Sequence, residues 1–286
     1  MSEATAYWIE VKALLPEIPE DWSRYAEIFS TYGIEGTVQT DDPPTIGGYV
    51  YEDDSQVVRI VALCEALTAA GASAVETERV KEEEWSESWK QFFVPRRVGR
   101  HFIIRPTWEE CEALPDDLVI VLDPGQAFGT GDHPTTRLCL ELLEKLPVAG
   151  KHVADIGCGS GILSIAAAML GAASVVGVDV ELPSIIASKE NADRNGVEAE
   201  FLVGEGFRSL PEGAHYDLVL SNIISATLIH ISHDASERVK PGGHWMISGI
   251  IDSNWPDVLA SAERFGFALV ERKQEDEWNA AILLRQ

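Results

Sequence analysis

The sequence predicts an α/β protein, in which a Rossmann-like doubly wound domain follows a small ferredoxin-like α+β domain. Three observations support this fold class. Residues 153–180 have the pattern of a strand, a glycine turn, a helix and a second strand, which make one βαβ unit. Apolar runs and helical stretches then alternate to the end of the chain, where two strands predict a hairpin. The first 80 residues instead follow the order β-α-β-β-α-β.

The predicted N-terminal domain begins with a strand at 7–15, where apolar and polar residues alternate. A helical segment follows and ends at Gly33, and the Pro- and Gly-rich tract 41–48 predicts a turn between two strands. A second helix stops at Gly71, and 73–80 is the fourth strand. We find no glycine loop, acid pair or histidine cluster here, so we expect a role in recognition.

The segment 81–93 is charged, and its aromatic residues recur at helical spacing, which predicts an amphipathic helix. Such a stripe is more often used for packing than for ligand binding. We therefore predict a recognition domain at 1–80, a linker helix at 81–93 and a catalytic domain at 94–286.

The glycine turn carries the first chemical signal. Gly157, Gly159 and Gly161 have the spacing G-x-G-x-G, whereas a dinucleotide site has G-x-G-x-x-G. Asp155 would repel a phosphate but would suit an ammonium or sulfonium ion. Asp179 ends the second strand, where an acid can accept hydrogen bonds from ribose hydroxyls. A ribose joined to a cationic amino acid describes S-adenosylmethionine; the alternative is a tight turn that binds no ligand.

A second glycine-rich stretch, 123–136, lies just before the βαβ unit. Its glycines allow close approach of the backbone to a ligand. Pro134 suits the first turn of the helix that follows, and Thr136 places a hydroxyl at the start of that helix. This stretch can therefore fold over a bound ligand.

The remaining elements continue the doubly wound pattern. Asn222 ends a later strand, and the helix after it is predicted to stop at Pro241-Gly242-Gly243. Ligands of such sheets bind at the carboxyl ends of the strands, so we expect Asp155, Asp179 and Asn222 to converge. Seven strands with a final hairpin are typical of a methyltransferase sheet.

Composition excludes several classes of function. The 286 residues carry a net charge of −25, which disfavours direct nucleic-acid binding and favours a basic protein partner. The chain has no 18-residue apolar run and no secretory signal, so we expect a cytoplasmic protein without a membrane span. The four cysteines lack C-x-x-C spacing, which argues against zinc. We predict no metal at His230 and His233 either, because no matching carboxylate or histidine was identified.

Residues 123–136, DPGQAFGTGDHPTT, together with ADIGCGSGILSIAA at 154–167, resemble the ribosomal protein L11 methyltransferase (PrmA) family. N-A-x-R-N-G-V at 191–197 extends the similarity. The resemblance implies a class I methyltransferase domain with a seven-stranded sheet. It implies N-methylation of lysine ε-amines and of the N-terminal α-amine of ribosomal protein L11. It also implies that the N-terminal domain binds that protein and reorients through the linker.

The resemblance also implies roles for single residues. The family's cofactor contacts correspond to Thr136, Gly157, Asp179 and Asn222, and its covering loop to Phe128, Gly129, Gly131 and His133. From the turn itself we add Asp155, Gly159 and Gly161. We hypothesise that Asn222 orients the acceptor amine as the catalytic residue; His133 is a weak candidate for a base. From Asn222 onwards the family commonly has N-I-L-A-x-x-L, and the chain departs from it at Ile224 and Ser225, in the loop that lines the acceptor channel.

Three alternatives remain open at this point. The first is a methyltransferase that acts on another basic protein. The second is a nicotinamide dehydrogenase, which the glycine spacing disfavours. The third is a binding module that has lost catalysis. We expect a monomer.

Overall fold

The computed structural model describes residues 7–19, 22–34, 37–51, 56–81, 93–123, 129, 131 and 133–286. The chain divides into two compact units, Met1–Phe92 and Phe93–Gln286. The predicted linker helix, 81–93, lies outside the described residues except at its two ends.

The described residues of the N-terminal unit form four strands and two helices. In chain order they are β1 (Tyr7–Leu14), α1 (Ser23–Thr31), β2 (Thr37–Asp41), β3 (Pro44–Tyr51), α2 (Gln56–Ala69) and β4 (Ala74–Lys81). The sheet is antiparallel, in the order β2-β3-β1-β4. Val11 and Ala13 of β1 form its core with Phe29 of α1 and Leu63 of α2. The predicted alternation of apolar and polar residues in β1 therefore has a direct cause in this one-sided burial.

The hairpin turn is shorter than the turn predicted at 41–48. β2 ends at Asp41 and β3 begins at Pro44, so only two residues form the hairpin turn. Gly47 pairs with Lys12 on one side and Val38 on the other, in the middle of the sheet. A side chain on Gly47 would contact the main-chain oxygen of Val11 at 3.4 Å. Strand pairing on both sides thus outweighs the local turn preference of glycine and proline.

The described part of the C-terminal unit contains ten strands. They are β5 (Arg96–Val98), β6 (Phe102–Arg105), β7 (Leu118–Val121), β8 (His152–Ile156), β9 (Ser174–Asp179), β10 (Glu200–Val203), β11 (Tyr216–Asn222), β12 (Val239–Ile251), β13 (Phe267–Glu275) and β14 (Trp278–Arg285). The last seven form one sheet in the order β10-β9-β8-β11-β12-β14-β13. Its first five strands are parallel, and β14 is antiparallel to both neighbours. The predicted seven-stranded sheet with a final hairpin is confirmed. β5, β6 and β7 form a separate small sheet.

Five α-helices cover the two faces of the seven-stranded sheet. They are α3 (Pro134–Leu143), α4 (Ile162–Met169), α5 (Leu182–Arg194), α6 (Ser225–Arg238) and α7 (Trp255–Arg264). Val153 of β8 belongs to the core beneath α3, α4 and α5, whereas Ala154 and Ile156 belong to the core beneath α6 and α7. Because β8 is buried on both faces, its sequence is apolar without alternation.

Pro241-Gly242-Gly243 do not stop α6 as predicted. The helix already ends at Arg238, and β12 begins at the next residue. The three residues lie inside β12, where its pairing with β11 changes register between Tyr216 and Leu218. A side chain on Gly243 would come within 2.9 Å of the Asp217 main-chain oxygen, which explains glycine at this irregularity. No helix in the described part of the chain is long and apolar enough to span a membrane.

Candidate active site

A cavity of about 700 Å³ lies at the carboxyl edge of the parallel strands, within the size range of small-molecule sites. It is lined by the ends of β8, β9 and β11, by the turn after β10 and by the first turns of α6. The topology explains its position, since the chain crosses in opposite directions from β8 and β11 and leaves a crevice between them. The two acids and the amide predicted at strand ends do lie at this edge, at Asp155, Asp179 and Asn222.

The glycine turn forms the floor of the cavity. Gly157 has φ +78°, and a side chain there would collide with Ile223 at 2.3 Å, so only glycine fits. The main-chain N–H groups of Gly157 and Cys158 donate to the Val178 oxygen of β9. The turn is therefore tied to the neighbouring strand and leaves a bare backbone surface facing the cavity.

Asp179 lies at the end of β9 and links two backbone segments. One carboxylate oxygen accepts from the Gly159 N–H at 2.9 Å and the other from the Glu181 N–H at 3.0 Å. An ionised carboxylate has about four acceptor positions. The half-buried Asp179 thus retains acceptor capacity for a ligand that brings hydroxyl donors into the cavity.

Three buried polar oxygens have no hydrogen-bond partner among the described residues. They are Thr136 Oγ1, Asn222 Oδ1 and Asp155 Oδ1. An unsatisfied buried polar group costs about 1–3 kcal/mol, so a ligand that supplies partners would recover this energy. Thr136 and Asn222 both line the cavity, although 86 positions separate them in the chain. The fold thus brings an α3 hydroxyl and a β11 amide to one site.

The charge of the cavity has one sign. Its lining includes the carboxylates of Asp179, Glu181 and Glu205, and none of the described residues that line it is lysine or arginine. Such a surface attracts a positively charged ligand and repels a phosphate. A nicotinamide dinucleotide, which carries a pyrophosphate, does not fit this electrostatic pattern.

Comparisons with known proteins agree with this geometry. The family model for "Ribosomal protein L11 methyltransferase (PrmA)" matches residues 18–286. The chain belongs to this family. A ribosomal protein L11 methyltransferase from Pelotomaculum thermopropionicum is 36% identical, with 96% of this chain and 97% of the relative covered. One from Geobacter sulfurreducens is 45% identical over 71% of this chain and 67% of the relative.

A crystal structure of ribosomal protein L11 methylase from Lactobacillus delbrueckii subsp. bulgaricus is also similar. The sequence identity is 30% and the TM-score 0.64, over 68% of this chain and 100% of the other. A methyltransferase structure from Pyrococcus furiosus is 13% identical with a TM-score of 0.50, which supports the fold alone. The α/β methyltransferase fold and the family resemblance are confirmed, and this PrmA-family chain is an S-adenosylmethionine-dependent methyltransferase.

The residues present fit that donor. Its ribose hydroxyls would meet the remaining acceptor positions of Asp179, and its positive charge would meet the carboxylates of Asp179, Glu181 and Glu205. Its polar groups would supply a partner for the unsatisfied hydroxyl oxygen of Thr136. The Cys158 thiol also lines the cavity, but burial raises its pKa, so it stays protonated and is no nucleophile.

The structure brings together six of the predicted site residues. The cavity lining includes Gly129, Thr136, Gly157, Gly159, Asp179 and Asn222. Four others, Asp155, Gly161, Gly131 and His133, do not line it, and their contact with the cofactor stays a prediction. Phe128 lies outside the described residues.

Local packing explains why three of these residues lie apart from the cavity. Gly161 faces α5, where a side chain would lie 2.8 Å from Ser188 Cβ. Gly131 faces Ile104 in the same way. The His133 ring caps α3 by accepting from the Thr135 N–H, and it packs edge-on against Trp278. His133 is therefore not placed to act as a base in the cavity.

Asp155 is fully buried behind the glycine turn, where Ser164 Oγ donates to its carboxyl group at 2.7 Å. Burial disfavours the charged form and raises the pKa of Asp155 to about 7, against the opposing hydrogen bond from Ser164. The nearby Asp179 charge raises it further. Because the pKa is higher in the folded state, the protonated group stabilises the fold fully below about pH 4, and this contribution is lost towards pH 7.

This burial predicts a pH-dependent difference between the wild type and Asp155→Asn, whose amide stays neutral. As the pH rises from about 4 to 7, the wild type should lose stability relative to the variant by at most about 4 kcal/mol. Denaturant unfolding across this pH range measures the difference. The same substitution at the exposed Asp193 is the control and should give a flat difference. A flat difference for Asp155→Asn would contradict the raised pKa.

Several residues that line the cavity were not predicted from the sequence. Gly204, Glu205 and Gly206 form the turn after β10, and its G-x-G pattern at a strand end was a usable signal. His230, assigned to the surface, lines the cavity one helical turn after Thr227.

The structure also corrects the prediction made for His230 and His233. Potential ligand atoms of His233, Asp234 and Glu237 lie within 4.8 Å of one another, so carboxylates with suitable placement do exist beside His233. All three residues lie on α6 towards solvent, and His230 is not part of the group. Exposed acidic clusters of this kind are common without an ion.

Proposed function

We propose that this chain transfers methyl groups from S-adenosylmethionine to ribosomal protein L11, at lysine ε-amines and at the N-terminal α-amine. The observation that carries the proposal is the single acidic cavity that joins the glycine turn, Asp179 and Asn222. The names of the relatives supply the acceptor protein. A ribosomal acceptor would place the reaction in the cytoplasm.

S-adenosylmethionine supplies a methyl group that is already activated by a sulfonium centre. The protein must therefore align the acceptor amine and receive it without its proton. At pH 7, removing the proton from a lysine of pKa about 10.4 costs roughly 4–5 kcal/mol. A desolvated cavity lowers this cost, because it disfavours the ammonium form. Alignment lowers the entropic part of the barrier.

Asn222 is the residue that we assign to alignment. Its Oδ1 atom is buried without a partner among the described residues, so it can accept an N–H of the incoming amine. The register of β11 with β12 fixes its backbone, because Asn222 pairs with Ser248. This leaves the amide at a defined place on the cavity wall, next to Ile223 and the glycine turn. Thr227 and His230 would line the path of the acceptor.

For the N-terminal unit we propose a ferredoxin-like fold that recognises the acceptor protein. Its element order and its antiparallel sheet order β2-β3-β1-β4 support that fold. We retain as proposals the recognition domain at 1–80, the linker at 81–93 and the catalytic domain at 94–286.

Intact mass measurement of purified ribosomal protein L11 tests the function. After incubation with enzyme and S-adenosylmethionine, the mass should rise in steps of one methyl group, and peptide mapping should place them on amines. The enzyme without donor is the control. An unchanged mass, together with calorimetric donor binding, would refute the acceptor and favour another basic protein. Absence of donor binding by the folded enzyme would refute the site itself.

A further inference from the structure

The motif at 191–197 resembles that of the family, but none of its residues lines the cavity. Asn191 and Arg194 belong to the last turn of α5, and Asn195 follows directly. The side chains of Asn191 and Asn195 nevertheless form hydrogen bonds with the glycine turn and with the end of β7, which precedes the stretch 123–136.

Asn191 holds the glycine turn. Its side chain is 4% exposed, and its Nδ2 donates to the main-chain oxygen of Ser160 at 2.9 Å. Ser160 in turn donates its hydroxyl to the Gly129 main-chain oxygen at 2.7 Å. Because Ser160 lies within the turn and Gly129 lines the cavity, one buried series of bonds runs from α5 to the cavity wall.

Asn195 holds the end of β7. It accepts from the Val121 N–H at 2.8 Å and donates to the Val121 oxygen at 2.7 Å, as a neighbouring strand would. Its Nδ2 also donates to the Asn191 main-chain oxygen at 2.8 Å. Both asparagines are therefore parts of one network.

Arg194 connects this network to Asp123, the first residue of the glycine-rich stretch 123–136. Its Nη1 donates to Asn191 Oδ1 at 2.6 Å, and its Nη2 lies 3.5 Å from the Asp123 carboxylate. Thr107 fixes the same carboxylate through its N–H at 2.8 Å. Asp123, Gly129 and the glycine turn are thus all held, directly or through one neighbour, by the end of α5.

We propose that Asn191 and Asn195 are positioning residues for the methyl donor, which set the separation between the glycine turn and Gly129. The inference rests on the proposed assignment of the glycine turn as the donor site. Displacements of about 1 Å in a binding wall can cost large factors in binding and rate. Amide side chains that bond main-chain atoms of separate segments resist such displacements.

The test uses Asn191→Asp and Asn195→Asp in the full-length enzyme, because each keeps the size of the side chain. Each change replaces the N–H donor by an oxygen that faces main-chain carbonyls. Asn191→Asp therefore loses the bond to Ser160, and Asn195→Asp loses the bonds to the main-chain oxygens of Val121 and Asn191. For Asn191→Asp we expect the donor Kd and KM to rise roughly tenfold, the usual effect of one buried hydrogen bond. For Asn195→Asp we expect a smaller rise, because Val121 lies farther from the cavity. The kcat at saturating donor should stay within about threefold.

Asn254→Asp is the matched control, since it adds the same charge at an exposed asparagine in the described part of the chain. Its donor Kd should equal that of the wild type. Ser160→Ala removes only the bond to Gly129 without adding charge, and it should also weaken donor binding. It keeps the test decisive if an Asp variant fails to fold.

The outcomes separate this proposal from the proposed function. If the wild type binds S-adenosylmethionine while Asn191→Asp and Ser160→Ala bind it within twofold, the positioning role is wrong. A lower Tm with unchanged donor Kd and KM would likewise show a purely structural role. If the wild type itself binds no donor, the donor site is wrong and this inference fails with it.

Discussion

Asn222→Ala is expected to lower kcat by about 10²–10³-fold, because the acceptor amine loses the group that orients it in the transition state. The Tm should change little. Asn222 Oδ1 bonds no described residue, so its removal leaves no described group without a hydrogen-bond partner. Radiolabelled methyl transfer under saturating donor measures kcat, and thermal unfolding checks the fold.

Asn254→Ala is the control for this prediction, because it removes the same side chain from an exposed position outside the cavity. It should keep wild-type turnover. Donor affinity of Asn222→Ala should fall much less than kcat, since the proposed role concerns the acceptor. Turnover within threefold of the wild type would exclude Asn222 as the orienting residue.

Asp179→Ala should weaken S-adenosylmethionine binding by roughly 10²-fold. The variant loses charge-assisted hydrogen bonds to ligand hydroxyls, each of which contributes on the order of 1.5–3 kcal/mol. It also releases the Gly159 N–H, which ties the glycine turn to the end of β9, and the Glu181 N–H just after that strand. Isothermal calorimetry with the donor and with its demethylated product measures the loss.

Two further variants distinguish the possible causes of weaker donor binding by Asp179→Ala. Asp179→Asn keeps one oxygen but loses the charge, so its affinity should fall between those of the wild type and Asp179→Ala. Asp193→Ala removes an exposed acid of α5 and should bind the donor normally, which controls for the change in net charge. An Asp179→Ala affinity within twofold of the wild type would remove this residue from the donor site.

Short-range sequence patterns were sufficient for much of the fold. The βαβ unit at 153–180, the acid at its second strand end and the final hairpin all follow from local spacing and apolar runs. Crossover connections between parallel strands are right-handed, and the parallel strands are buried on both faces. These two constraints leave only a few possible strand orders. The predictions were wrong where strand pairing sets the local structure. In β3, Pro44 and Gly47 are typical turn residues, but they belong to a strand that lies between two others.

The candidate site shows the same limit. The spacing of the glycine turn, the position of Asp179 and the stretch at 123–136 were sufficient to predict the donor and the family. They could not separate Thr136, whose hydroxyl reaches the cavity, from His133, whose ring caps α3. The roles of Glu205 and His230 also depended on elements distant in sequence.

By itself, therefore, the sequence determined the class of fold, the chemistry of the donor and the acidic character of the protein, because these depend on residue type and local spacing. Only the tertiary structure decided which polar groups share the cavity, that Asp155 is buried behind it, and that Asn191 bonds the glycine turn while Asn195 bonds the end of β7. The physical reason is that burial and hydrogen-bond partners are set by contacts between segments far apart in the chain, which no local pattern encodes.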